Sequence, residues 1–144
     1  MIDTSVKYVS AQTRVKVLRI AATAMPFARS SQDQAQRWLR ALRTHGDAAG
    51  LLTSLGITDE PPRAAEGEPL SAGAPRRNAI ATVSRHAVAL ARRRGASTIR
   101  TSDLLGAVLE VYGPYFERVL AEHGVSTSDV VDRLNADGLK DGSA

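Results

Sequence analysis

The residues able to do chemistry in this chain are few and scattered. There is no cysteine, so thiolate nucleophiles, disulfides and thiolate metal sites are excluded, and the cytoplasm is the expected compartment. The histidines, His45, His86 and His123, each stand apart from other potential ligands, which predicts surface or helix-terminal positions rather than a metal site. The lysines, Lys7, Lys16 and Lys140, follow no phosphate-cradling glycine loop, so nucleotide hydrolysis is not expected. No Gly-x-Ser-x-Gly elbow is present, and the serines fall where caps and turns are expected. Asp103 and Glu110 share one helix face about two turns apart, a spacing that signals no acid–base pair. These residues predict no catalytic group, metal or cofactor, and a protein that binds rather than an enzyme.

Charge offers a second kind of chemistry. The formal net charge is +4, with arginines gathered at Arg76, Arg77, Arg85, Arg92, Arg93, Arg94 and Arg100, and a mostly acidic stretch from Glu117 onward. Such a basic patch fits either a solvated helix face ending in a basic turn or a nucleic-acid surface. The absence of base-stacking aromatics beside it favours the first reading. No segment approaches the ~20 apolar residues of a membrane span, and the N-terminus has no signal-peptide core, so no membrane association is expected.

Helices must position these groups. Alanine is abundant and aromatic residues are scarce, which favours close helix packing over a β-sandwich. Ser10 is placed to cap a helix with Val15, Leu18, Ala22 and Met25 as its apolar stripe, broken by Pro26 and the Ser30-Ser31 pair. A second helix, entered through Ser31 or Asp33, sets Ala35, Trp38, Leu39 and Leu42 on one face. A third runs from Asp47 to Leu55 and stops at Gly56. Residues 58–75 carry Pro61, Pro62, Pro69 and Pro75 with Gly67 and Gly73, and read as a linker. From about Arg76, Ile80, Val83, Ala87 and Leu90 form the next stripe, with Gly95 as its stop. Thr101 is expected to cap the helix that buries Leu104, Leu105, Val108 and Leu109. Gly113-Pro114 divides it from one burying Phe116, Val119 and Leu120, and Ser126 to Asp129 form a capping box before Val130, Val131 and Leu134.

One pattern recurs. Leu51-Leu52-Thr53-Ser54-Leu55-Gly56-Ile57 returns as Val119-Leu120-Ala121-Glu122-His123-Gly124-Val125, the two glycines lying 68 residues apart. The chain therefore reads as a first helical unit over 1–57, a linker over 58–75, a second unit over 76–135 and a flexible tail over 136–144, the two units sharing one domain.

The second unit resembles a known family. Ala91 to Leu105, ARRRGASTIRTSDLL, is similar to the segment A-R-R-L-G-H-x-x-I-G-T-E-H-L-L of the Clp N-terminal repeat, and Arg118-Val119-Leu120 with Gly124-Val125 to its closing element. In the first unit Trp38 to Gly46, with Leu51-Leu52 and Leu55-Gly56-Ile57, resembles the same repeat in shorter form. The resemblance covers most of residues 10–135 and implies an all-α fold of two pseudo-symmetric helical repeats, about seven or eight helices. It also implies a free-standing substrate- or adaptor-recognition domain without the ATPase, whose partner is a protein, a peptide, a Clp unfoldase or a small molecule. The resemblance implies ligand contacts from polar groups at helix N-termini, Gln36 and Arg37 in the first unit and Ser102 and Asp103 in the second, and some family members read phosphoarginine with a Glu at the positions taken here by Gln36 and Ser102. An amide and a hydroxyl cannot pair with a guanidinium as a carboxylate does.

Overall fold

In a computed structural model, the structure describes residues 15–57, 73–96 and 98–142, and every regular element among them is helical. Helix α1, described over residues 15–24, leads into a 3-10 turn at Met25–Phe27. There follow α2 (Ser31–Leu42), α3 (Gly46–Ser54), α4 (Ala79–Arg93), α5 (Thr101–Tyr112), α6 (Pro114–Glu122) and α7 (Thr127–Gly142). Among the described residues no helix is long and apolar enough to cross a membrane. The predicted cap at Ser10 and most of the 58–75 linker lie outside the described residues.

The apolar stripes settle each helix on its core face, and two of them differ from the predicted set. In α1 the buried residues are Val17 and Ala21, continued by Met25 in the following turn, whereas Val15 is exposed. Val17, Ala21 and Met25 follow one another at i, i+4 and i+8, so the three share one helix face. In α4 the buried row is Ala79, Val83, Ala87 and Ala91, with Ile80 and Leu90 half-buried at its flank. Small residues at the centre let α4 lie close against α5. α4 begins at Ala79 rather than Arg76, since Asn78 takes a left-handed conformation (φ 54°). α2 buries Ala35, Trp38, Leu39 and Leu42 as predicted, and Trp38 is completely enclosed. α7 runs on past residue 135, where the sequence reading begins a tail.

The recurring glycine pattern is a pair of matched helix ends. The amide of Ile57 donates to the Leu52 carbonyl at 3.1 Å, and that of Val125 to the Leu120 carbonyl at 3.0 Å. Gly56 (φ 89°) and Gly124 (φ 76°) supply the left-handed residue that this closure requires. Ile57 and Val125 are then turned into the core.

Helix α5 is the hub, packing on α2, α3, α4, α6 and α7. The closest neighbours are α4 and α5, while α2 lies on α6 and α3 on α5. One apolar core therefore draws side chains from both halves, from Val17 through Val130.

Two polar seams join the halves. In the first, buried Gln34 accepts from the Arg76 amide and the Tyr112 hydroxyl, both at 3.0 Å, and donates to the Arg76 carbonyl at 3.1 Å. Beside it Ser31 donates through its hydroxyl to the Ala74 carbonyl and through its amide to that of Gly73. Burial raises the Tyr112 phenol above its ordinary pKa, which keeps it a donor. In the second seam, the Asp47 carboxylate accepts from the Thr101 hydroxyl at 2.5 Å and the Ser102 amide at 3.1 Å, while Thr101 accepts from the Ala48 amide at 3.0 Å. Arg100 stands 3.7 Å from the same carboxylate.

Candidate functional groove

The groove follows from how α4 ends and α5 begins. α4 has Arg92 and Arg93 in its last turn, where cations complement the helix dipole. The chain turns back through Gly95, and α5 starts at Thr101 with Arg100, not Thr101, as its N-cap residue. The cap is made by Asp103, which accepts the Arg100 amide at 2.8 Å. The predicted capping role of Thr101 is displaced because its hydroxyl is engaged by α3, in the Asp47 seam.

Asp103 is fixed a second time. Arg94 grips it through one guanidinium edge, Nη2 donating at 2.6 Å and Nε at 3.3 Å to the two carboxylate oxygens, with the two side chains only 18% and 8% exposed. Two turns further along α5, Glu110 meets His86, which lies about two turns before Arg94, at 3.0 Å, and Arg93 at 3.8 Å. Asp103 and Glu110 do share a helix face as predicted, and each is bound into an ion pair with α4.

Between these pairs the packing of α7 leaves a groove of about 690 Å³. Leu90, Leu109 and Leu134 form its floor and Val131, 39% exposed, its outer wall. Gly106 lies in the floor, where an added Cβ would come within 3.0 Å of Leu90 Cδ1. The missing side chain keeps the groove deep. Arg93 is 72% exposed at the rim. The arrangement can hold an apolar side chain below and a charged or hydrogen-bonding group above.

Comparison of the chain with protein-family models, with curated proteins and with solved structures finds no match. The site is therefore read from its own geometry.

The residues predicted to touch a ligand part company here. Ser102 and Asp103 line the groove but are buried, at 5% and 7% exposure. Gln36 and Arg37 do not line it. Gln36 donates to Glu122 at 3.4 Å and so ties α2 to α6. Arg37 donates to Asp33 and to the Ala24 carbonyl, both at 3.0 Å, and so ties α2 to the end of α1. Gln36 is the sixth residue of α2, and Ser102 is the second residue of α5.

The basic patch also divides. Arg76 and Arg77 are exposed before the first turn of α4, and Arg92 and Arg93 at its last, about 20 Å away along the helix. Arg94 is held by Asp103 and Arg100 by Asp47. Of the histidines, His86 lies at the surface, 43% exposed, and pairs there with Glu110. His123 ends α6, where burial and the nearby Arg43 push its imidazole below the ordinary pKa against the pull of Glu122. Among the described residues no cluster of His, Asp or Glu could hold a metal ion.

Sequence reasoning did not assign Gln34, Asp47 or Glu110 a role. A signal exists for Asp47, an acid in the first turn of a short helix. Gln34 carries none, because a buried amide in an apolar row is recognised only by its partners.

Proposed function

We propose that this chain is a non-catalytic protein- or peptide-binding module of the Clp N-terminal type, built from two related helical repeats and taking its ligand in the groove between α4, α5 and α7. The single observation that carries the binding role is that groove, with an apolar floor of Leu90, Leu109 and Leu134 under the exposed Arg93.

The repeat reading is supported by reciprocity. If α2 corresponds to α5 and α3 to α6, then α2 on α6 and α3 on α5 are one contact made twice, with α2 against α5 on the axis between them. The matched ends at Gly56 and Gly124 follow the same correspondence. So do the buried hydroxyls at the first residue of each hub helix, Ser31 and Thr101, and the acid two places later, Asp33 and Asp103.

In this role Ser102 and Asp103 shape the groove and the ligand meets Leu109, Val131 and Arg93. A Clp-type unfoldase, its adaptors or its substrates are the partners that the sequence resemblance suggests. The test is capture of a purified Clp-type unfoldase and of a fluorescein-labelled unfolded polypeptide, with Val131→Glu and Arg93→Glu as variants. Both positions are exposed, so the fold is expected to survive. Val131→Glu should weaken capture about tenfold by placing a carboxylate on the apolar wall. Capture that neither variant changes, or no capture by the unaltered chain, rejects the groove.

A further inference from the structure

We infer that the outer face of α1 is a second docking site, for an acidic amphipathic helical segment of a protein partner. The chain has two phenylalanines; Phe116 is fully buried and Phe27 is 71% exposed. Pro26 and the 3-10 turn explain the placement, since Met25 faces the core and Phe27 is carried past it into solvent. Ile20, 38% exposed, and Ala24 continue the strip, and Lys16, Ile20, Ala24 and Phe27 follow one another at steps of four and three along one helix face. His45, from the corner between α2 and α3, closes one side of a recess of about 630 Å³.

The charge at this recess selects its occupant. Lys16, Arg19 and His45 line it, and among the described residues no carboxylate does. A second copy of the chain would set Lys16 and Arg19 against their own equivalents across a two-fold contact, which like-charge repulsion disfavours. A lipid surface suits a broad apolar face, whereas here the large apolar side chains are Ile20 and Phe27 alone, lining a pocket of about 630 Å³ with His45. An acidic helix supplies both needs, with apolar anchors at i, i+3 or i+4, and i+7 for Ile20 and Phe27, and carboxylates for Lys16 and Arg19. The site shares no residue with the α4–α5–α7 groove, so the failure of one reading leaves the other standing.

The experiment is a selection of random peptides of about 16 residues, long enough for four helical turns, displayed against the full chain. Affinities of the enriched peptides are then measured by fluorescence anisotropy. The enriched set should combine Asp or Glu with Leu, Ile or Phe at helical spacing, and its affinity should fall as salt rises. Phe27→Ala and Arg19→Glu should each weaken binding about tenfold, while Val131→Glu leaves it unchanged. Enrichment of basic or uncharged peptides, or affinities that Phe27→Ala and Arg19→Glu do not alter, overturns the proposal. So does retention on phosphatidylglycerol vesicles with no peptide enriched, which assigns the face to lipid. A dimer in sedimentation that Phe27→Ala abolishes assigns it to a second copy and equally overturns the proposal.

Discussion

The Gln34 seam and the Asp47 seam do the same mechanical work with different chemistry. Each sits near the start of a helix in the first half and reaches the second half, one through a neutral amide and the other through a carboxylate. The amide engages three partners while fully enclosed, and nothing in it ionises near neutral pH. The carboxylate is 35% exposed, and the cost of its partial burial is outweighed by the hydrogen bonds of Thr101 and Ser102 and the charge of Arg100, which hold its pKa below the ordinary range. A protein that needs its halves aligned thus has one joint indifferent to pH and one that responds to it.

The largest effect should come from the neutral joint. Gln34→Leu strands the buried Tyr112 hydroxyl and removes both bonds to the Arg76 backbone, and is expected to cost about 3 kcal/mol of stability in urea unfolding followed by Trp38 fluorescence. Asp47→Ala should cost less, about 2 kcal/mol, because the site is half open and water replaces part of the bond set. A larger loss from Asp47→Ala than from Gln34→Leu would reverse the ranking and make the charged joint the principal one.

Acid separates the two seams. A carboxylate with a lowered folded pKa contributes stability that is fully present above its unfolded value, near about 3.9, and lost as pH falls through the folded value. Asp47 and Asp33 both have lowered pKa values, Asp33 because hydrogen bonds from Arg37 and Arg29 outweigh its burial. Stability should therefore hold from pH 7 to about 5 and decline below about 4. Asp47→Asn should flatten part of that decline, and Gln34→Leu should leave its shape unaltered. An acid profile identical in Asp47→Asn and the unaltered chain would remove the distinction.

The smallest effect is a control on helix ends away from either seam. Ser126 and Asp129 form the predicted capping box of α7, each side chain meeting the other's amide at 3.2 Å. Ser126→Ala should cost about 1 kcal/mol with no change in the acid profile attributed to Asp47.

Much of this fold is readable from the sequence where one local rule acts alone. The glycine stops at Gly56 and Gly124, the Gly113-Pro114 junction and the α2 stripe through Trp38 all depend on a few neighbouring residues. The register of α1 is not readable in that way, since Val15, Val17, Leu18 and Ile20 offer competing apolar faces and tertiary packing chooses among them. Thr101 illustrates the same limit at the site. As a threonine before an apolar run it satisfies the rule for a cap, but α3 is nearby in space and takes its hydroxyl. Ser102 and Asp103 could be placed at a helix start from sequence, whereas their burial and the grip of Arg94 depend on α3, α4 and α7 converging there.

The sharing of α5 has a consequence for any protease that cuts the chain between residues 58 and 72. α3 finds its main apolar neighbour in the other half, and α2 finds another in α6. A single cut there would leave two pieces still interlocked, migrating together in native gels and separating only in denaturant. Expressed alone, either piece would carry a bare flank of leucine and valine and would regain its shape only on meeting the other.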